Sequence, residues 1–422
     1  MLNSTHDPSL RSWVDSAQAA GCDFPIQNLP HGVFRRRGST EDFRGGVAIG
    51  EEILDLAQAA AKGVFRDVAL AAAQAASAGS LNDFMALGAS AWRLLRAGAP
   101  EAAQLATCLV PQALAEYAVP ARIGNYTDFF TSYDHMVNAG RVFLPDAPPL
   151  PNFKWLPLGY HGRASTVVTS GTPCHRPHGQ TRASGAAAPM FGPCKRLDYE
   201  MELGIFIGPG NADGRAMALC EAEDQVFGMV LLNDWSARDI QGWESMPLGP
   251  FLAKNFLTSI SPWIVTTEAL VPYRCALQRT SDDPPPLSYL DPDAGARPSI
   301  DIELEVQLHT AASGERAMRL SRSNYRHAYW APAQLVAHHC SNGCRLRPGD
   351  LMGTGTQSGP GPGEQGCLLE LTRGGRNPLV LPDGQQRSYL EDGDTVVLRA
   401  WCERPGAARI GFGECRGTVM PT

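Results

Sequence analysis

From Val119 to the end of the chain, short apolar and β-branched runs alternate with Gly and Pro, and this pattern constrains the fold more than any other feature. Clear runs are Ser165–Thr169, Leu203–Ile207, Val226–Leu232, Ile300–Leu308 and Thr395–Ala400. Many short strands separated by turn signals predict a β roll or barrel of about 300 residues. The chain holds 43 Gly and 33 Pro among 422 residues, but 44% of its residues are hydrophobic, which argues against disorder.

The segment before Val119 has a different texture. Alanine dominates Leu56–Tyr117, and apolar residues recur at helical spacing. Ser80 and Asp83 have the spacing of a capping box and predict one helix that runs through Leu95. Arg44–Leu56 predicts a hairpin. A further helix is predicted at Tyr329–His339, ending near Asn342-Gly343.

Composition excludes several classes of protein. The net charge of −7 is unlike the basic balance of a nucleic-acid binder. No apolar run reaches the roughly 18 residues of a membrane span, and the N-terminus has no apolar core of a secretory signal. Eleven cysteines form an odd number without regular spacing. We therefore expect a reduced, cytoplasmic protein that contacts neither membrane nor nucleic acid.

Two glutamates, Glu200 and Glu202, are the first candidates for chemistry. Alternate residues of a strand point to the same side, so both carboxylates are expected on one face. Buried side by side they would repel each other unless a cation bridged them. Carboxylate oxygens suit Mg²⁺, Ca²⁺ or Mn²⁺, and a solvated strand face is the structural alternative.

Two further segments combine acids with other polar side chains. Asp234 follows an apolar strand, and helical spacing predicts that Asp234, Arg238 and Gln241 share one face. For Asp234 alone, a helix N-cap is the alternative. Asp128 and His135 are also seven residues apart, which again predicts one helical face. A lone histidine is more often structural, and His135 gains weight only if a carboxylate orients it.

Two motifs are interpreted as false signals. His338, His339, Cys340 and Cys344 match no standard zinc spacing. The Gly-rich segment that starts at Gly353 lacks the lysine and the spacing of a phosphate-binding loop. It is predicted to be a tight loop at the wall of a site.

Ten segments together resemble the fumarylacetoacetase family, in their order and spacing as well as their residues. They are DFPIQNLPHGVF at Asp23, GVAIG at Gly46, YTDF at Tyr126, GYHGRAS at Gly159, LDYEMELGIF at Leu197, NDWSARDIQ at Asn233, PLGPFLAKNF at Pro247, NGCRLRPGDL at Asn342, GTQSGP at Gly355 and RIGFGEC at Arg409. The resemblance covers nearly the whole chain. It implies hydrolysis of a carbon–carbon bond between two carbonyls, with fumarylacetoacetate giving fumarate and acetoacetate in tyrosine and phenylalanine breakdown.

The resemblance also implies a fold, an assembly and a set of site residues. The fold would be mostly β, of the α+β class: a small N-terminal SH3-like barrel domain with helices (1–119), then a large mixed β-roll catalytic domain (120–422). A homodimer with a bound divalent cation, Ca²⁺ or Mg²⁺, is expected. The implied cation ligands are Asp128, Glu200, Glu202 and Asp234, with Lys254 and Thr258 at a second, structural cation. The implied catalytic residues are His135, oriented by Glu370, with Arg238, Gln241 and Lys254 facing the oxyanion. The implied substrate contacts are Phe130, Leu144, Tyr160, Gln241, Ser245 and Thr356.

At four positions the sequence departs from the family. Phe130 and Ser245 stand where the family usually has Tyr, Leu144 where it has Arg, and Leu257 where it has Gly. Loss of an Arg removes a bidentate carboxylate clamp. One interpretation is an altered substrate, another acylpyruvate or β-diketone; the other is drift compensated by a residue such as Arg141.

Two further functions remain alternatives. Decarboxylases and tautomerases of the wider superfamily use the same carboxylate cluster but do not need the pair formed by His135 and Glu370. A non-catalytic binding protein would have lost a catalytic residue, and none is lost. Hydrolysis is therefore the favoured prediction.

Overall fold

The computed structural model describes residues 2–98, 105–143, 145–293, 296–313, 316–382 and 384–422. Leu144 lies outside these residues, so its role at the substrate stays a prediction.

In its described residues, the N-terminal unit has a five-stranded antiparallel sheet, in the strand order β4-β3-β2-β1-β5, and four α-helices. The strands are β1 (His31–Arg36), β2 (Arg44–Ile49), β3 (Glu52–Asp55), β4 (Leu109–Pro111) and β5 (Ala115–Ala118). The helices are α1 (Leu56–Ala61), α2 (Asp67–Ala76), α3 (Asn82–Ala86) and α4 (Ala89–Ala97). The predicted hairpin is confirmed: β2 and β3 pair around Gly50, whose positive φ of 58° suits the turn.

The prediction of one capped helix from Ser80 to Leu95 is wrong. Two helices, α3 and α4, occupy this segment and are separated at Gly88, whose φ of 81° breaks the helical path. Ser80 does not cap, because its hydroxyl donates to the side chain of Asn82 instead of accepting from the third residue of the helix.

These helices cover one face of the larger domain. Phe84 on α3 and Trp92 on α4 both pack edge-on against Phe227, with ring centroids 5.5 and 4.9 Å apart. The indole N–H of Trp92 donates to the carbonyl of Phe84, at 2.9 Å. The Ala-rich segment thus buries an apolar side of the sheet that carries Asp128, Glu202 and Asp234.

The larger domain contains the remaining elements. Its first strands are β6 (Tyr126–Phe130), β7 (Leu158–His161), β8 (Val167–Thr169), β9 (Cys174–His175), β10 (His178–Thr181), β11 (Met190–Pro193), β12 (Leu197–Asp198), β13 (Met201–Ile207), β14 (Val226–Asp234), β15 (Ser236–Ala237) and β16 (Thr258–Ile260). Its later strands are β17 (Val265–Thr266), β18 (Arg274–Cys275), β19 (Ser299–Ile300), β20 (Glu303–His309), β21 (Met318–Asn324), β22 (Leu351–Gly353), β23 (Leu379–Val380), β24 (Gln386–Arg387), β25 (Thr395–Cys402) and β26 (Ile410–Met420). Its helices are α5 (Tyr133–Phe143), α6 (Leu219–Glu223), α7 (Arg238–Glu244), α8 (Pro332–Cys340) and α9 (Leu368–Leu371).

An eight-stranded sheet supplies the frame of the candidate site. Its order is β7-β6-β22-β13-β14-β16-β8, with β17 also paired to β14. Strands β6, β22, β13 and β14 are therefore neighbours, although β6 and β22 are far from β13 and from each other in the chain. A second sheet, in the order β21-β20-β25-β26-β9, packs around the main core.

Two helical-face predictions are wrong. Asp128 lies on β6 whereas His135 lies on α5, and Asp234 is the last residue of β14 whereas α7 begins at Arg238. In both cases a strand ends and a helix begins between the two residues, so the seven-residue spacing does not place them on one helical face.

The fold class is confirmed: a small N-terminal domain with helices precedes a larger mixed β-roll domain. The predicted helix near Tyr329 begins at Pro332, because proline suits a first helical position. Within the described ranges, no helix has both the length and the apolar character needed to cross a bilayer.

Candidate active site

Three carboxylates from three strands form a buried cluster. Asp128 lies on β6, Glu202 on β13 and Asp234 at the end of β14. Each is at most 3% exposed, and one oxygen atom of each lies within 4.8 Å of the others. Strand pairing, not local sequence, thus brings these acids together.

A glycine between the acids makes this approach possible. Gly353 ends β22, directly opposite Asp128 in the parallel pairing of β22 with β6. A Cβ at Gly353 would lie 2.6 Å from Oδ1 of Asp128 and 3.1 Å from Oε2 of Glu202. Any side chain here would occupy the space between the two carboxylates.

The charges of this cluster are poorly balanced. Burial, with repulsion from Asp234, raises the pKa of Asp128 to about 8. Burial also raises the pKa values of Glu202 and Asp234. Oδ1 of Asp128 and Oε1 of Glu202 are buried without a hydrogen-bond partner. Unpartnered carboxylate oxygens with excess negative charge are a donor set that suits a hard divalent cation.

Glu200 has different neighbours from Glu202, although the two were predicted as a pair. Lys254 donates to Oε2 of Glu200 and to Oδ2 of Asp234, each at 2.5 Å. Arg238 contacts Oε1 of Glu200 at 2.8 Å. Burial alone would raise the pKa of Glu200, but Lys254 and Arg238 outweigh it and lower that pKa. Glu200 is therefore held as a carboxylate by protein cations.

Arg238 is fixed on three sides. Its Nε donates to Asp198 at 2.9 Å, and its Nη1 reaches both Glu200 and Oε1 of Gln241, the latter at 3.1 Å. Its Nη2 is buried and has no hydrogen-bond partner. Because a guanidinium is planar, these contacts also fix the direction of the one free donor.

His135 and Glu370 form a buried pair. Nδ1 of His135 lies 2.7 Å from Oε2 of Glu370. Asn138 donates to Oε1 of Glu370 at 3.0 Å, and Ser358 donates to Oε2 at 2.8 Å. Burial favours the neutral acid, but His135, Asn138 and Ser358 outweigh it and lower the pKa of Glu370. The carboxylate can therefore orient His135 as the resemblance predicted.

Three of the remaining predicted residues, Tyr160, Thr258 and Phe130, contact these groups. The hydroxyl of Tyr160 donates to Asp234 at 3.3 Å, and that of Thr258 donates to the other oxygen of Asp234 at 3.2 Å. Phe130 packs edge-on against His135, with ring centroids 5.3 Å apart. The hydroxyl of Thr356 is buried without a partner. Ser245, by contrast, donates back to its own helix, to the carbonyl of Gln241 at 2.7 Å.

The motifs interpreted as false signals have structural roles. His338 contacts Tyr289 and His339 contacts Thr127. Neither histidine belongs to a candidate metal group among the described residues. The loop after Gly353 lines the site, as predicted: the backbone N–H of Gly355 donates to Glu202 at 2.9 Å.

Sequence reasoning assigned no contact with the candidate site residues to four positions: Asn138, Asp198, Gly353 and Ser358. The sequence did offer a signal for Asp198: it lies two residues before Glu200, a spacing that places two side chains on the same face of a strand. Asn138 lies one helical turn after His135. Gly353 and Ser358 lie in segments that the sequence analysis noted, but their roles depend on contacts with Asp128, Glu202 and Glu370, which belong to other elements.

Comparison with known proteins agrees with this arrangement. Residues 27–120 match the family described as "Fumarylacetoacetase N-terminal", and residues 125–420 match "Fumarylacetoacetate (FAA) hydrolase C-terminal". The fumarylacetoacetase of Oryza sativa subsp. japonica is 45% identical, over 100% of this chain and 99% of that protein. The human fumarylacetoacetase is 45% identical, over 96% of this chain and 97% of that protein.

The chain belongs to the fumarylacetoacetase family. It is accordingly a hydrolase that acts on carbon–carbon bonds. A solved fumarylacetoacetate hydrolase from Exiguobacterium antarcticum shares the fold, with a TM-score of 0.52 and 16% identity over 93% of this chain and 100% of that one. The buried acids and the pair of His135 and Glu370 are therefore the candidate centre of the active site.

Proposed function

We propose that this chain hydrolyses fumarylacetoacetate to fumarate and acetoacetate, a step of tyrosine and phenylalanine breakdown. The observation that carries the proposal is the buried 2.7 Å contact between His135 and Glu370, beside an acidic cluster with unpartnered oxygens. The superfamily enzymes that do not cleave by hydrolysis would not need this pair. The relatives give no support to an altered substrate.

We propose that Asp128, Glu202 and Asp234 hold a divalent cation, Ca²⁺ or Mg²⁺. Three facts support this proposal: the mutual approach of the three carboxylates, their raised pKa values and the absence of a side chain at Gly353, where a Cβ would crowd Asp128 and Glu202. When bound, such a cation supplies Lewis-acid polarisation of substrate oxygens. Glu200 is the fourth proposed ligand and would share oxygens that already accept from Lys254 and Arg238.

His135 is the proposed general base. Glu370 accepts the Nδ1–H of His135, which leaves Nε2 unprotonated and able to take a proton from water. The resulting hydroxide oxygen forms a bond to the substrate carbonyl carbon. Breakage of the carbon–carbon bond leaves a carboxylic acid on one product, which releases its proton to solvent, and the electron pair of the broken bond goes to the enolate of the other product. His135 then returns its proton to the enolate carbon.

Arg238, Gln241 and Lys254 are proposed to stabilise the tetrahedral oxyanion. Arg238 is the strongest candidate, because its Nη2 is a buried donor without a partner. Lys254 remains a cation: burial would lower its pKa, but Asp234 and Glu200 raise it above the ordinary value. Loss of one such donor in an enzyme typically costs about 3 kcal/mol of transition-state stabilisation.

Tyr160 and Thr356 are proposed to contact the substrate, with Phe130 and Gln241 beside them. Phe130 would offer an apolar edge, where a tyrosine would offer a hydroxyl. Ser245 is a weaker candidate, since its hydroxyl is engaged within its own helix. Leu144 remains a prediction.

The second cation proposed near Lys254 and Thr258 meets a physical limit. The Lys254 ammonium has no free electron pair and already donates to two carboxylates, so only its carbonyl oxygen could coordinate. The Thr258 hydroxyl contacts Asp234 at 3.2 Å. Leu257 is partly buried against the core.

We further propose that the protein is a homodimer. An exposed apolar segment beside the site supports this: Met246, Leu248 and Phe251 are 86%, 96% and 66% exposed. Leu248→Asp should shift the sedimentation velocity to that of the monomer. Leu114→Asp, on an exposed side chain of the N-terminal unit, should not.

All eleven cysteines are free thiols, which supports the proposal of a reducing, cytoplasmic location. Fractionation of cells that express the tagged chain tests it, and recovery in an oxidising compartment would contradict it.

The central test is turnover of fumarylacetoacetate, followed by loss of its enol absorbance, with and without chelator. We expect cleavage that stops on chelation and returns with Ca²⁺ or Mg²⁺. Acylpyruvates and other β-diketo acids serve as comparison substrates. Faster cleavage of one of these would overturn the proposed substrate.

A further inference from the structure

Asp198 is a buried carboxylate that neither the catalytic proposal nor the cation proposal uses. It ends the short strand β12 and has no exposed surface. Four donors saturate it. Oδ1 accepts from the backbone N–H of Tyr199 at 2.9 Å and of Leu368 at 2.8 Å; Oδ2 accepts from that of Leu369 at 2.9 Å and from Arg238 Nε at 2.9 Å.

One pair of these bonds holds the helix that carries Glu370. Helix α9 has only four residues, and its N-cap residue, Cys367, makes no side-chain capping bond. Asp198 supplies the missing acceptor from 170 residues away in sequence. First-turn amides need such acceptors, and a charged one binds them strongly. Asp198 therefore fixes the start of α9, and with it Glu370, against the sheet.

The bond from Arg238 Nε to Asp198 orients the proposed oxyanion donor. Asp198 holds Nε of Arg238, while Glu200 and Gln241 hold Nη1. These contacts aim Nη2, which is buried without a partner. If Nε lost its acceptor, the guanidinium could turn toward Glu200 and the free donor would lose its direction.

We propose that Asp198 is a positioning residue: it fixes Glu370, the partner of His135, and the proposed oxyanion donor Arg238 relative to each other. This inference rests on the proposed function and deepens it. Asp198 touches neither His135 nor the unpartnered Nη2 of Arg238, so it acts through Glu370 and Arg238. One carboxylate thereby joins two catalytic groups that lie on separate elements, α9 and α7.

Asp198→Asn is the test variant. The amide keeps the shape of the carboxylate, but its NH₂ group would face either Arg238 Nε–H or a first-turn N–H, donor against donor. We expect kcat to fall by about 100-fold, with KM nearly unchanged and a shifted pH–rate profile. Asp198→Glu keeps the charge but displaces it, and should fall between the wild type and Asp198→Asn.

The chain offers a matched control in Asp55. Asp55 is also fully buried, caps a helix by accepting from Ala57 and Gln58 at 3.1 and 3.2 Å, and accepts from Arg44 Nε at 2.6 Å. It lies in the N-terminal unit. Asp55→Asn should lower the melting temperature about as much as Asp198→Asn but leave kcat and the pH–rate profile unchanged.

The outcomes separate the two ideas. An inactive wild type would overturn the proposed function, and the histidine NMR titration of His135 would then test Asp198 alone. If the wild type is active, the inference is overturned when Asp198→Asn has a kcat within threefold of the wild-type value and an unchanged NMR titration of His135. Equal loss of kcat in the Asp55 control would also overturn it. If Asp198→Asn fails to fold, the same criteria apply to Asp198→Glu.

Discussion

The candidate site has two buried acidic regions, the pair of Glu370 with His135 and the cluster of Asp128, Glu202 and Asp234, and their carboxylates differ in hydrogen bonding and in the direction of their pKa shifts. Glu370 receives hydrogen bonds from His135, Asn138 and Ser358, and its pKa is lowered. Asp128 and Glu202 retain unpartnered oxygens, and their pKa values are raised. The difference teaches that the protein satisfies the proposed general-base pair by itself, whereas the acidic cluster retains unpartnered oxygens that a cation would satisfy.

His135→Ala should have the largest effect, and it should affect the pair of His135 and Glu370 but not the acidic cluster. We expect kcat to fall by about 10³-fold, because the base that activates water is lost. Cation binding should be unchanged, since His135 is not a proposed ligand; isothermal titration calorimetry measures it. His175→Ala, at an exposed position, is the control. Full residual activity in His135→Ala would contradict the mechanism.

Removal of the divalent cation should break the other region. Chelation should abolish turnover and lower the melting temperature, because the repulsion among Asp128, Glu202 and Asp234 is then uncompensated. Scanning calorimetry measures the shift. His135→Ala should show the same shift on chelation as the wild type. If the melting temperature of the wild type does not change on addition of chelator, the acids do not hold a cation in solution.

Gly353→Ala should weaken the cluster without touching the general-base pair. The added Cβ would lie 2.6 Å from Asp128 Oδ1, so we expect cation affinity to fall by about 10–100-fold, a cost of about 1–3 kcal/mol. Calorimetric titration measures it. Gly192→Ala is the matched strand control, because its Cβ meets nothing within 4 Å. Equal cation affinity in the two variants would refute the spatial argument.

Ser358→Ala should give the smallest effect, on the other region. It removes one donor to Glu370, and we expect a loss of about 1 kcal/mol in the free energy of unfolding and a few-fold loss of kcat. Ser323→Ala, which removes a buried hydroxyl bonded to the Gln357 carbonyl, is the control: a similar loss of stability with unchanged kcat is expected.

The pH dependence of that stability loss has a definite sign. The pKa of Glu370 is lower in the folded chain than its ordinary value of 4.5. Its bonds therefore stabilise the fold fully above pH 4.5, and this stability is lost as pH falls through the lower, folded pKa. The difference between wild type and Ser358→Ala should shrink below pH 4.5 in denaturant titrations. A difference that grows there would show that Glu370 is not held as a carboxylate.

Much of the fold could be predicted because it depends on local patterns. Short apolar and β-branched runs predicted strands such as β13, β14 and β25, and the turn at Gly50 predicted the β2–β3 hairpin. Helical spacing failed for Asp128 with His135 and for Asp234 with Arg238. In both cases the backbone changed from strand to helix between the two residues, and spacing carries no information across such a change.

The sequence by itself determined the kinds of chemistry available: carboxylates, a histidine and cationic side chains. It also carried the family resemblance. Only the tertiary structure decided which acid has which partner. Glu200 and Glu202, two residues apart, were predicted as one pair, yet Lys254 and Arg238 neutralise Glu200, whereas Glu202 faces Asp128 across Gly353. The reason is physical: the electrostatics of a buried group depends on neighbours from other strands, and strand order in a sheet is not a local property of the sequence.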